Sequence, residues 1–257
     1  MAARSCPDGE RGRRLSMDAL ILAAGHGTRL RPLTERTPKA LIPVGRRTML
    51  EHVVERLRAA GVDRLGINTH HIGAEIERFV AEHDGFGLEV AFSRETEAAL
   101  ETGGAIRHAA PLLDTAAPFF VHNVDILTDF PLAEMYAAHA GSDALATVAV
   151  MERETSRYLL FDDEGLCGHV DLRWPATTWA RQPRGAVRRL AFGGVHVASG
   201  ALPGLITETG TFPIFPVYLR LAGAGHRIAP FRIDGARWVD IGTPERLEAA
   251  RRLFGGS

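Results

Sequence analysis

The feature that most constrains this chain is an apolar run, residues 19–24, that empties directly into a loop punctuated by Gly25 and Gly27. A run so short and so uniformly apolar reads as a strand buried on both faces, the mark of a sheet covered on either side. A glycine-rich loop at such a strand end can bring bare backbone N–H groups against a phosphate. Arg29 follows, and ten residues on comes Lys39. A guanidinium recognises phosphate through its fork and an ammonium as a point charge. The stretch reads as a polyphosphate cradle.

Two common cradles are excluded by residue type. A Walker loop carries Gly-Lys-Ser/Thr at its end, whereas Gly27 is followed by Thr28 and Arg29. A dinucleotide fingerprint needs a third glycine opening a helix; that position is Leu30, and Pro32 and Pro38 interrupt any continuous helix.

Leu22-Ala23-Ala24-Gly25-His26-Gly27-Thr28-Arg29-Leu30-Arg31-Pro32-Leu33-Thr34, continued by Pro38-Lys39-Ala40-Leu41-Ile42-Pro43, resembles the signature of the sugar-phosphate nucleotidylyltransferases. These enzymes join a nucleoside triphosphate to a sugar 1-phosphate and release pyrophosphate. The resemblance implies that Leu22, Ala23, Ala24, Gly25, Gly27 and Thr28 bind the nucleotide, and that Arg29 and Lys39 are the catalytic cations. It further implies a Rossmann-like α/β three-layer sandwich with a mixed, mostly parallel central sheet.

Further along, Thr48 and Glu51 form a capping box ahead of a helix whose apolar face is Leu50, Val53, Val54 and Leu57 and which ends at Gly61. Residues 64–68 and 88–92 read as strands, with a helix between them marked by Ile72, Ile76, Phe79 and Val80. This alternation argues for a parallel sheet.

Thr102, Gly103 and Gly104 then precede a helical pattern, so they are expected in the loop entering a helix N-terminus. They resemble the loop with which the family holds the nucleobase. Residues 118–125 form a buried strand that delivers Asp125 at its carboxyl end, where open α/β sheets bind ligands. By resemblance Asn123 belongs to the sugar-phosphate site and Asp125 is a Mg²⁺ ligand. The family has glycine where this chain has Val124, which demands a backbone that a β-branched residue tolerates.

Residues 158–170 read as two strands about a turn, a shift toward antiparallel structure. Residues 172–188, with Trp174 and Trp179, show no periodicity and are expected to form a loop, packed on the domain or lying over the sugar. Gly193 and Gly194 interrupt a strand, a sign of a bulge or close approach, and resemble the family's strand beside the sugar. Near the end, Trp238-Val239-Asp240-Ile241-Gly242-Thr243 resembles the motif carrying the second metal aspartate, Asp240. Thr243 then caps a helix with Pro244 at its first position.

Composition narrows the partners. A hydrophobic content of 46% with a formal net charge of −1 gives no reason to invoke nucleic acid or an anionic membrane. The expected partners are a nucleoside triphosphate, with UTP or dTTP favoured and GTP open, and a sugar 1-phosphate; a homodimer stays open. Cys6 and Cys167 match no metal or redox spacing. Residues 1–16 hold several arginines without the apolar core of a secretory signal, so a disordered extension, a nucleotidyltransferase domain over residues 17–257 and a cytoplasmic location are expected. Two rivals come from other classes, a nucleotide-sugar-dependent glycosyltransferase and a catalytically silent regulatory subunit. The first would show an Asp-x-Asp metal motif, and the second would have lost Arg29, Lys39, Asp125 or Asp240.

Overall fold

The computed structural model describes residues 17–256, so the extension expected over residues 1–16 lies outside the described residues. Strand β1 (Asp18–Leu22) leads into three single-turn 3-10 helices (Thr28–Leu30, Leu33–Glu35, Lys39–Leu41), the short strands β2 (Pro43–Val44) and β3 (Arg47–Thr48), and helix α1 (Met49–Ala59). Next come β4 (Arg64–Thr69), α2 (Gly73–Glu82), β5 (Glu89–Arg94), α3 (Glu101–Ala109), β6 (Phe119–Asn123), β7 (Ile126–Thr128), α4 (Leu132–Ala140) and β8 (Ala146–Met151). A meander of β9 (Arg157–Asp162), β10 (Gly165–Asp171) and β11 (Trp174–Trp179) precedes the long β12 (Arg188–Ala198). The chain closes with α5 (Leu202–Leu205), α6 (Ile214–Gly223), β13 (Ile228–Arg232), β14 (Trp238–Asp240) and α7 (Pro244–Phe254).

The main sheet runs β11-β10-β9-β12-β6-β1-β4-β5, with β8 and β13 branching from β12. Its site-bearing half, β6-β1-β4-β5, is parallel throughout, whereas β12 and the meander are antiparallel. Side chains of successive residues leave opposite faces of a strand. Ala19 and Ile21 therefore pack with α1, α2 and α4 through Leu50, Val54, Ile76 and Met135, while Leu20 packs with α3 and α6 through Ile106, Ile214 and Tyr218. The result is the expected three-layer α/β sandwich. A separate cluster of Leu30, Ile42, Leu127, Val239, Leu247 and Phe254 seals α7 against the back of the cradle.

Local signals hold where chemistry forces them. Glu51 N–H donates to Thr48 Oγ1 at 3.3 Å while Thr48 N–H donates to Glu51 at 2.6 Å. Thr243 caps α7, and Pro244 opens it. Ile72, read as part of the second helix, stands just outside it as a left-handed N-cap. Residues 172–188 are not all loop: β11 occupies the first part as an edge strand paired only with β10. Trp174 is 72% exposed and stands largely in solvent, whereas Trp179, 51% exposed, lies along β10, where a Cβ on Gly168 would stand 3.0 Å from its ring. An edge strand wet on both faces carries no apolar alternation, which is why periodicity missed it.

Candidate active site

At the carboxyl ends of β1, β4 and β6 lies a cleft of about 350 Å³, lined by Leu22, Ala24, Gly25, Gly27, Thr28, Arg29, Lys39, Thr102, Asn123 and Asp125. The sheet gathers these because β1 and β6 run side by side in register, Leu22 opposite Asn123. Gly27 has φ +61, and a Cβ there would stand 2.9 Å from Thr34 Cγ2, so this turn requires glycine. Gly25 meets nothing within 4 Å. Gly25 and Gly27 line the cleft, and the N–H groups of Gly25, His26 and Gly27 have no acceptor among the described residues, so this loop keeps bare backbone donors.

The cradle is held from behind by a relay absent from the sequence reading. Asn68 Oδ1 accepts from Ala23 N–H at 2.7 Å and Ala24 N–H at 3.3 Å. Its amide donates to Glu95 at 2.5 Å, and the other Glu95 oxygen accepts from Leu100 N–H at 2.9 Å. Ala23 is thus a buried anchor of the loop and not part of its lining. Glu95 is itself buried yet lines the cleft. An asparagine and a glutamate at two parallel strand ends become partners only when the strands pair, so neither has a motif.

The Thr102-Gly103-Gly104 segment differs from expectation. It forms the first turn of α3, not a loop before it. Gly103 and Gly104 N–H groups donate to Phe212 O at 3.0 and 3.2 Å, and Thr102 Oγ1 accepts from Ile214 N–H at 2.9 Å. A Cβ on Gly103 would lie 2.6 Å from the Phe212 ring. These two glycines serve the close packing of the segment before α6; of the three, Thr102 reaches the cleft. Gly193 and Gly194 are likewise buried and off the lining. Gly194, at φ +84, leaves space for Ile126, which a Cβ would meet at 2.4 Å, and Gly193 O accepts from Trp238 Nε1–H at 2.8 Å. Their shared role is to let β12 pass close behind β7 and β14.

That passage brings the two aspartates together. β7 and β14 pair antiparallel with Asp240 opposite Ile126, and Ile241 N–H donates to Asp125 O at 3.0 Å. Asp125 and Asp240, more than a hundred residues apart in sequence, therefore share one end of a two-stranded ribbon. Lys39 Nζ donates to Asp125 Oδ2 at 2.5 Å. Asp240 accepts from Gly242 N–H at 2.9 Å and from the Arg246 guanidinium. Burial pushes the Asp240 carboxyl upward, but these hydrogen bonds and the charges of Arg246 and Lys39 outweigh it and hold the group below the ordinary carboxylate range. Asp240 stays ionised.

Two more residues bear on Asp240, one on the cleft lining and one off it. Gly242 lines the cleft where a Cβ would stand 2.7 Å from Asp240 Oδ1 and 3.1 Å from an Arg29 nitrogen. Arg153 lies with its guanidinium carbon 4.5 Å from the centre of the Trp238 ring and donates to Phe192 O at 3.2 Å. Burial lowers its pKa against the attraction of Asp240. Gly242 sat inside a recognised motif without a role; Arg153 had no local signal. Val124 fits without strain, since it is absent from the left-handed residues and its N–H donates to Leu22 O at 3.1 Å. His26 is exposed, with its ring centre 5.2 Å from that of His70.

Asp125 and Asp240 are the carboxylates that could hold a divalent cation. Among the described residues no group of three or more His, Cys, Asp or Glu side chains is arranged for a metal. Two carboxylates beside an open phosphate cradle suit Mg²⁺, which takes one or two protein carboxylates and fills its octahedron from water and substrate phosphates.

A glycine cradle, two cations and two carboxylates at the strand ends of a doubly covered sheet define a protein that handles nucleoside phosphates. Residues 18–160 match the nucleotidyl transferase family model, and the chain belongs to that family. It is 34% identical to N-acetylmuramate alpha-1-phosphate uridylyltransferase of Caulobacter vibrioides, over 91% of this chain and 96% of that protein. A mannose-1-phosphate guanyltransferase of Gibberella zeae is 39% identical over 93% of this chain, which spans 64% of that longer relative. Among solved structures, a UDP-glucose pyrophosphorylase bound to UDP-glucose superposes with a TM-score of 0.74 at 20% identity, covering 93% of this chain and 98% of the other. HddC from Yersinia pseudotuberculosis gives 0.72 at 21% identity, covering 93% and 99%. At these identities the structures speak for the shared fold. Among the described residues no helix is long and apolar enough to cross a membrane.

Proposed function

We propose that this protein transfers a nucleoside monophosphate from a nucleoside triphosphate to a sugar 1-phosphate, giving a nucleoside diphosphate sugar and pyrophosphate. The observation that carries the reading is the convergence of Arg29, Lys39, Asp125 and the Asp240 strand end about one glycine cradle. UTP is the favoured donor and N-acetylmuramate 1-phosphate the first acceptor to try. Support comes from the Caulobacter relative, which is matched over 96% of its length, whereas the guanyltransferase is matched over 64%. Glu95 on the cleft wall offers oxygen acceptors to a base N–H, which uracil and guanine both present, so it does not choose between the two donors.

In this reading the sugar phosphate attacks the α-phosphorus in line. A phosphate monoester has its second pKa at about 6, so the nucleophile is already ionised at neutral pH and needs no general base. The work left to the protein is positional and electrostatic. Amides of residues 25–27 and the Arg29 fork hold the β- and γ-phosphates. Lys39 sits where negative charge gathers at the reacting centre. Arg153, fixed against Trp238, offers a further cation for the sugar phosphate. A Mg²⁺ ion held by Asp125 and Asp240 would neutralise phosphate charge. Lys39, which bonds Asp125 in the resting protein, would turn from it to the substrate phosphates.

A pyrophosphate-release assay over a panel of triphosphates and sugar 1-phosphates tests the proposal. The expected result is pyrophosphate formed only when both substrates and Mg²⁺ are present. Pyrophosphate from no pair in the panel, by a folded enzyme, would refute it.

A further inference from the structure

The hydrogen bonds behind the cradle join the two ends of the cleft. Strands β1, β4 and β5 lie side by side and parallel, so the chain leaves all three at one edge of the sheet. Asn68, on the middle strand, is 2% exposed, and Glu95, just past β5, is 5% exposed. The Asn68 oxygen holds the Ala23 and Ala24 N–H groups at the root of the glycine loop, while its amide nitrogen donates to one Glu95 oxygen. The other Glu95 oxygen takes the N–H of Leu100, the N-cap of α3. The Glu95 main chain is fixed by β4 on both sides: its N–H donates to Thr69 O at 2.8 Å, and its carbonyl accepts from His70 Nδ1 at 2.7 Å. With the main chain pinned, the carboxylate is the part of Glu95 that can respond to a ligand.

Strand order sets what each end of the cleft meets. Arg29, Lys39 and Asp125 stand on its β1 and β6 side, whereas Glu95, Ala99 and Thr102 form its β5 and α3 side. A nucleoside triphosphate with its phosphates on the cradle therefore carries its base toward Glu95. The carboxylate, stabilised by the positive end of α3, draws on the Asn68 N–H, and an amide polarised at its nitrogen accepts more strongly at its oxygen. That pull fixes the first residues of the loop whose next N–H groups, at residues 25–27, are left for phosphate. A base that orders the Glu95 carboxylate spares the phosphates part of the cost of ordering the loop.

We infer that Asn68 is a positioning residue that couples the two halves of the nucleotide site, so that a base held at Glu95 tightens the grip of the glycine loop on the phosphates. The inference rests on the reading of the cleft as a nucleotide site.

Binding the two halves as separate molecules tests it. Calorimetry gives the affinity of the wild type for pyrophosphate with Mg²⁺, first alone and then with saturating uridine or guanosine. The nucleoside is expected to tighten pyrophosphate about fivefold or more, the lower end of ordinary coupling between sites, and in Asn68→Ala the factor should fall to about one. An asparagine with a merely structural role would instead change pyrophosphate affinity by the same factor with and without nucleoside. Should Asn68→Ala not fold, hydrogen exchange in the wild type decides. Nucleoside alone should slow exchange of the Ala23 amide, which lies off the cleft lining and bonds Asn68. Pyrophosphate affinity unmoved by a bound nucleoside, coupling retained in Asn68→Ala, or Ala23 exchange unchanged by a bound nucleoside overturns the inference. If neither nucleoside binds at all, the reading of the cleft fails first and the coupling with it.

Discussion

Replacing Lys39 with alanine separates catalysis from folding. In the resting protein the ammonium is 9% exposed and bonds Asp125, whose side chain is 30% exposed. Two unit charges about 4 Å apart attract by about 4 kcal/mol at an effective dielectric of about 20. Desolvation and side-chain entropy offset most of this in a partly exposed pair, leaving about 1 kcal/mol for folding. In a domain of this size that corresponds to a fall in Tm of roughly 2–4 °C. In the transition state the same cation meets charge growing on the reacting phosphates, and loss of such a group costs about 2.7–4 kcal/mol, or about 10²–10³ in kcat. The apparent affinity for Mg²⁺ without nucleotide should rise, since Lys39 competes with the ion for Asp125 and bears on Asp240. Pyrophosphate release, a thermal melt and a metal titration read the three quantities. A folded Lys39→Ala enzyme turning over within a few-fold of wild type removes Lys39 from the chemistry, and a melt lowered by tens of degrees makes its role structural.

Asp125→Asn and Asp240→Asn should each abolish Mg²⁺-dependent turnover while the protein stays folded, and chelation should do the same to the wild type; a double variant that keeps metal-dependent activity would sink the shared-metal reading. Gly103→Ala forces a Cβ to within 2.6 Å of Phe212 and should destabilise by about 1–3 kcal/mol, an overpacking cost visible in a melt; unchanged stability would show that the Phe212 segment is not fixed there. Gly242→Ala should lower kcat with little change in Tm, because the added carbon displaces the flexible Arg29 tip and Asp240 oxygen; unaltered kinetics would place Arg29 elsewhere in the working enzyme. Burial holds His122 and His139 down to about 4 and His196 to about 3, well below the ordinary imidazole value. These groups stay neutral in the fold and protonate on unfolding, so their stabilising effect is complete above about pH 6.5 and declines as pH falls toward 4. Calorimetry in buffers of different ionisation enthalpy should find about three protons taken up by these imidazoles on unfolding near pH 5.5, and a melt independent of pH over that window would contradict the burial of all three.

The sequence by itself determined what depends on local chemistry. A strand buried on both faces has to be apolar throughout, a left-handed turn at Gly27 has to be glycine, and a capped helix has to start with Thr48 and Glu51, so β1, the cradle and α1 were legible residue by residue. The motifs that hold Arg29, Lys39, Asp125 and Asp240 were legible because each is contiguous, and the fold brings the first three to the cleft lining. Tertiary structure decided whatever required two distant segments to meet. The pairing of β7 with β14 set Asp125 beside the Asp240 strand end, and the pairing of β1, β4 and β5 made Asn68 and Glu95 a brace for the cradle. The same cause reassigned the glycines at 103, 104, 193 and 194. A glycine reports that something comes close, and the backbone, ring or strand that does so is named only when the chain has folded around it.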